Sequence, residues 1–347
     1  MKDGAITHFD NPSHNSPGRV RHGGDIASAE AIFGRPKNGW LDLSTGINPN
    51  PYPLAAIPTE FMHRLPGTDD IDRLLYVARK YYRVAENAKI IAAPGSQSLV
   101  KLVPKILAAG NVSILGPTYA EHKPAWAAAG HAVIDAASTC TQAAGAANYA
   151  LVVNPNNPTG TTHAVDGLLA LAEEMFDRGG ALVVDEAFSD VCPELSLCPH
   201  AGQPGLIILR SFGKFFGLGG LRLGFAISDE QTAQLIENSL GPWAVSGPAI
   251  WAGINAMNDE SWITQSKIQL GNNAKKLDRI LLNVGMKIIG GTDLFRLASI
   301  DGANEIFQRL GRNGILVRAF DENPNWLRFG IPINDEAFNR LENALGN

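Results

Sequence analysis

Cysteine is scarce in this chain, three in 347 residues (Cys140, Cys192 and Cys198). So few, and an odd number, cannot staple a disulfide framework, and they suit a reducing compartment. Cys192, Cys198 and His200 lie close together, but their spacing fits no usual zinc pattern and no fourth ligand stands out, so no metal site is expected. Charge is thin as well. Only 18% of residues are charged, the net charge is −5, and no Lys/Arg run occurs, which argues against a nucleic-acid partner. Membrane-length apolar runs are missing, and the polar segment 1–16 has no apolar signal region. A soluble cytoplasmic protein with no membrane partner is the expectation.

What is present is core material. Hydrophobic residues make up 45% of the chain, enough for a sizeable interior. The 36 glycines and 21 prolines are dispersed without period and read as tight connections between short elements. The length exceeds that of a usual single domain. The division expected is an N-terminal arm (1–45), a large domain (46–245) and a small C-terminal domain (246–347).

From residue 68 the pattern alternates. Asp70–Tyr82 has helical spacing at Ile71, Leu74, Leu75 and Ala78. Short apolar strand candidates follow at Lys89–Ala93, Val112–Leu115, Ala132–Ile134, Ala150–Val153, Ala181–Val184, Leu206–Leu209 and Gly224–Ile227. Helical patterns lie between several of them (Gln97–Ala108, Val165–Arg178, Asp229–Ser239), the last with a capping-box start at Ser228 and Gln231. Continuous apolar strands alternating with helices argue a mostly parallel sheet covered on both faces. Past Pro248 the pattern becomes one long helical stretch (Ile250–Val284), then strands at Met286–Ile289, Phe295–Ser299, Ile315–Phe320 and Trp326–Ile331. Helices near Asn304–Gly311 and from Asn334 complete a smaller α+β unit.

Four segments carry chemistry, each beginning where a strand candidate ends: Pro94-Gly95-Ser96-Gln97, Asn154 to Gly160, Val184-Asp185-Glu186-Ala187-Phe188, and Ser211-Phe212-Gly213-Lys214 with Arg222 beyond. Ligands bind at the carboxyl ends of parallel strands. A P-loop is absent, and Phe216–Gly224, though Gly-rich, fails the dinucleotide spacing. In this order the segments resemble the fold-type I aminotransferase superfamily of pyridoxal 5'-phosphate (PLP) enzymes, over nearly the whole chain. The resemblance implies an α/β large domain with a seven-stranded, mostly parallel sheet, a small α+β domain and a homodimer.

It also implies roles. Lys214 supplies the amine for the cofactor's aldehyde, and Asp185 the carboxylate against the pyridine nitrogen, keeping the ring an electron sink. Gly95, Ser96 and Gln97 open a helix toward the cofactor phosphate, with Ser211 and Arg222 as hydroxyl and cation. Tyr119 stacks on the ring, Asn157 bonds the ring hydroxyl, and Arg328 grips the substrate carboxylate. Two positions depart from the pattern, with Phe188 and Leu65 standing where relatives often carry tyrosine. The N-terminal third, with His22-Gly23-Gly24-Asp25 and Trp40 to Pro49, resembles the threonine-phosphate decarboxylase group of cobalamin biosynthesis. That implies decarboxylation of L-threonine O-3-phosphate, with His22 (with Arg19 or Arg21) and Asn48 as further substrate contacts. The alternatives are an aminotransferase acting on histidinol phosphate or another amino acid, and a non-catalytic binding module of the same fold.

Overall fold

The structure, a computed structural model, describes residues 23–136, 145 and 147–346. It opens on a helix inside the segment expected to be an arm, α1 (Ile26–Phe33). Asp25 caps it by accepting from Ser28 N, and its Phe33 packs edge-on against Phe307. Eight residues in a polar, Gly-rich setting leave too little apolar period to announce a helix. The two-residue strand β1 (Leu41–Asp42) and the short helix α2 (Glu60–His63) follow. Helix α3 (Thr68–Tyr82) then buries Leu74, Val77, Ala78 and Tyr82, one face of its turn.

The large sheet is built from β2 (Lys89–Ala93), β3 (Asn111–Leu115), β4 (Ala132–Ala136), β5 (Tyr149–Val153), β6 (Ala181–Asp185), β7 (Leu206–Ser211) and β8 (Gly224–Ser228). Each expected strand core falls within one of them. Their order is β2-β8-β7-β6-β5-β3-β4. Strands β3 to β7 pair in parallel, whereas β8 runs antiparallel to both β2 and β7. Strands β5 to β8 are buried at every residue, which is why they read as unbroken apolar runs. Helices α4 (Ser96–Ile106), α5 (His122–Ala128), α6 (Val165–Asp177) and α7 (Phe212–Phe215) lie between them and α8 (Glu230–Leu240) follows β8, with a buried apolar cluster on each face.

Three local expectations are corrected. Ser228 ends β8 and does not cap α8; Asp229 does, accepting from Thr232 N at 3.0 Å. The stretch Ile250–Val284 is two helices, α9 (Gly247–Asn258) and α10 (Glu260–Asn283), parted at Asp259, which caps the second through Trp262 N at 2.9 Å. The small unit adds β9 (Lys287–Thr292), β10 (Phe295–Ser299) and α11 (Ala303–Arg312). Its next stretch, Ile315–Phe320, is not one strand: β11 (Ile315–Leu316) pairs in parallel with β1, and β12 (Arg318–Ala319) joins β13 (Trp326–Gly330). The four-stranded antiparallel sheet is ordered β12-β13-β10-β9, and α12 (Asp335–Gly346) closes the fold.

Behind the sheet, Arg210 is buried between Glu186 (Nη1 to Oε2, 2.8 Å) and Asp190 (Nη2 to Oδ2, 3.2 Å), with its guanidinium 4.4 Å over the Tyr82 ring. The Cys198 thiol lies 3.7 Å from Glu186 Oε2, so this cysteine belongs to a packed ionic cluster. Among the described residues no group of three or more His, Cys, Asp or Glu has the arrangement of a metal site. None of the described helices is long and apolar enough to cross a membrane.

Candidate active site

Ser211, at the end of β7, pairs with Gly224, at the start of β8, and Gly224 pairs in turn with Ala93, at the end of β2. The reversed strand thus starts where its neighbours finish, and the segments after β2 and β7 meet Arg222 at one edge of the sheet.

Gly95 precedes α4 with φ 81°, a left-handed conformation that disfavours any side chain. A Cβ here would also meet Arg222 Nη2 at 2.6 Å. The guanidinium therefore lies against the opening of α4, where no side chain caps the first-turn amides. A cation and an uncapped helix N-terminus thus lie side by side, an arrangement whose charge suits an anion. Gln97 joins it through the backbone alone, since its side chain accepts from Tyr119 Oη (3.0 Å) and donates to Glu121 Oε2 (3.2 Å).

Asp185 ends β6 and is buried. Its Oδ1 accepts from Ala187 N at 3.0 Å, and its Oδ2 accepts from His122 Nε2 at 2.9 Å. His122 is buried too, and its Nδ1 has no hydrogen-bond partner. Sequence reasoning missed this histidine: it lies three residues beyond Tyr119 in no motif, and only the fold brings it to Asp185. The rings of Tyr119 and His122 meet edge-on with centroids 5.7 Å apart, and burial pushes the Tyr119 hydroxyl up to about 12.

Lys214 sits in α7, half-buried, its Nζ 5.5 Å from the centre of the Phe188 ring. Burial, then the charge of Arg328, pulls its amine down to about 8, against the opposing pull of Asp185. Arg328 is buried on β13, donating through Nη1 to Asn157 Oδ1 and through Nη2 to Ser44 O at 2.7 Å. Burial, then the charge of Arg318, lowers it to about 10.

A cavity of about 950 Å³ is lined by Lys214, Tyr119, Asn157, Phe188, Arg328 and Arg318, among others. Arg318 is the second residue that sequence reasoning missed. It stands opposite Arg328 in the β12–β13 register, a neighbour hidden while Ile315–Phe320 is read as one strand. Asn48 is buried, and its side-chain amide donates to Phe215 O and Ser266 Oγ, both at 2.9 Å. His22, Arg19 and Arg21 lie outside the described residues.

Comparison with known proteins adds kinship to this geometry. The family model for aminotransferase class I and II matches residues 62–345. A threonine-phosphate decarboxylase of Sinorhizobium sp is 42% identical over 94% of this chain and 97% of that protein. One of Pseudomonas aeruginosa is 40% identical with the same coverage. In structure the chain is similar to histidinol-phosphate aminotransferase from Sinorhizobium meliloti, solved with pyridoxal-5'-phosphate, at TM-score 0.83, 20% identity and 97% of both chains. With a lysine, an aspartate and an anion cradle assembled on the edge of a sheet of this topology, the chain belongs to the class I and II aminotransferase family and groups within it with the threonine-phosphate decarboxylases.

Proposed function

We propose that this chain is a PLP-dependent lyase that converts L-threonine O-3-phosphate to 1-aminopropan-2-yl phosphate and CO₂, a step of cobalamin biosynthesis. The observation that carries the reading is the cavity itself. A half-buried amine of lowered basicity shares it with two guanidiniums in register, Arg318 and Arg328. That arrangement suits a small amino acid bearing two anionic groups. The close kinship with threonine-phosphate decarboxylases supports the choice of substrate.

The residues fit PLP. The opening of α4, where Arg222 closes on Gly95, has the charge for its phosphate, with Arg222, Ser211 and the first-turn amides at Ser96 and Gln97 as donors. Asp185, buried and oriented by His122, is the carboxylate that would face a protonated ring nitrogen. Tyr119 and Asn157 line the cavity, an aromatic ring and an amide available to the cofactor ring and its hydroxyl. When bound, PLP supplies an electron sink for the pair of electrons left on the substrate's α-carbon after CO₂ departs.

This chain does the rest. Arg328, held by Ser44 O, binds the substrate carboxylate, and Arg318 is the cation offered to its phosphate. Lys214, whose amine titrates near pH 8, delivers to the α-carbon the proton that replaces CO₂ and regains a proton from solvent. Phe188 places an apolar face, not a hydroxyl, beside that amine, which limits water around it. A homodimer with a site in each subunit is the proposed assembly.

The test is purified protein supplied with PLP and threonine phosphate, followed for CO₂ with and without 2-oxoglutarate. CO₂ release independent of the oxoacid is expected. Amino-group transfer without CO₂ would instead make the chain an aminotransferase.

A further inference from the structure

Lys214 lies in α7, just after β7 of the large sheet, and Arg328 on β13 of the small one, yet two routes of contact join them. The first is backbone. Ser44 O accepts from Arg328 Nη2 at 2.7 Å, and the Ser44 amide and hydroxyl are both held by Asp42 Oδ1. Four residues on, Asn48 N donates to Lys214 O at 2.9 Å, while its side-chain amide bridges Phe215 O and Ser266 Oγ of α10. The second route is aromatic. Lys214 Nζ faces Phe188, Phe188 meets Phe295 edge-on at 5.1 Å, and Arg328 Cζ lies 5.2 Å from the Phe295 ring. The two routes touch midway. A Cβ on Gly46 would meet Phe188 Cε1 at 2.8 Å and Phe295 Cδ1 at 3.1 Å.

We propose that residues 44–48 are a positioning strap: held to Arg328 at Ser44, to the Phe188–Phe295 pair at Gly46 and to the Lys214 turn at Asn48, they set the reach from the arginine to the lysine amine. The inference rests on the roles given to those two residues above. A substrate with its carboxylate at one end and its amine directed to the other has its α-carbon oriented by that reach. Misplacement of such groups by a fraction of an ångström is costly to rate. Asn48 and Gly46 act through their neighbours and are positioning residues.

Gly46→Ala is the central test, because the glycine's backbone conformation admits alanine and only the contact with the two rings changes. Two readouts need no turnover: the pH midpoint of the bound cofactor's visible absorption band, and Kd for the amine-free analogue 3-phosphonooxybutanoate. The Gly46→Ala holoenzyme should bind the analogue about tenfold more weakly and shift the midpoint by about half a pH unit or more. Its ratio of CO₂ released to amino group transferred should fall. Asn48→Ala and Ser266→Ala, which release only the lysine end, should move the midpoint while keeping Kd within about twofold. A lower Tm in Gly46→Ala with both readouts unmoved would reduce the strap to scaffold and overturn the proposal. If Gly46→Ala does not fold, an unmoved midpoint in both of the other variants does the same. A wild type that releases no CO₂ would sink the proposed reaction and leave the strap standing, since midpoint and Kd are read without chemistry.

Discussion

At Lys214 the protein holds an amine where an ammonium ion is poorly solvated, and the pH dependence of stability follows from that. The folded group titrates near 8, the unfolded one near its ordinary value of about 10.4. Below pH 8 both states carry the proton, and the folded state bears the cost of a partly desolvated charge. Between about 8 and 10 the folded lysine has released its proton while the unfolded one keeps it, so stability rises with pH across that window. Lys214→Met in the cofactor-free protein should therefore stabilise by roughly 1–3 kcal/mol near neutrality, with the gain shrinking toward pH 10. Urea denaturation at several pH values measures it, and a gain independent of pH would contradict the lowered basicity. The same substitution should abolish turnover.

Among the elements, the start of α4 carries the sharpest steric constraint of the anion cradle. Gly95→Ala puts a methyl group into a left-handed residue and against Arg222, so the guanidinium must withdraw from the helix opening. The backbone strain alone is worth about 1 kcal/mol. Loss of the cation's placement should weaken PLP binding by at least about tenfold, read by titration of the visible band; unchanged affinity would place the phosphate elsewhere. This element was legible in sequence because glycine between an apolar strand and a helical pattern has few other uses. Strands β5 to β8 were legible for a related reason: burial on both faces leaves continuous apolar runs such as Ala181–Val184. Less visible was whatever depends on partners far along the chain. Nothing local in Ile315–Phe320 reveals that its two halves pair with β1 and β13, and so nothing revealed Arg318 beside Arg328. His122 escaped likewise, as its meaning comes from Asp185 across the sheet edge. The motif around Asn48 likewise gave no sign that its amide hydrogens go to the Phe215 carbonyl and the Ser266 hydroxyl.

For the molecule as a whole, assembly is the property to test. Met62 and Leu65, in and just after α2, are 61% and 63% exposed, an unfavourable arrangement for two large apolar side chains if no second copy covers them. Sedimentation at micromolar concentration should give twice the monomer mass, and Leu65→Asp should shift the equilibrium toward monomer by about tenfold or more. A monomeric wild type would overturn the assembly. The buried Glu186–Arg210–Asp190 cluster, by contrast, lies wholly within one subunit and should be indifferent to that equilibrium.

The reversal of β8 also has a consequence in time. Because it runs backward between β2 and β7, Arg222, a late contribution of the chain to the sheet, is returned to Gly95, one of the earliest. During synthesis a nascent chain that has completed β2 through β6 holds half of the anion cradle and none of its cation. The cofactor can then reward only a chain that has inserted its last strand between two already made. On the proposed placement of the phosphate, a ribosome-bound fragment lacking β8 should hold PLP poorly, and the ligand should stabilise only a finished sheet.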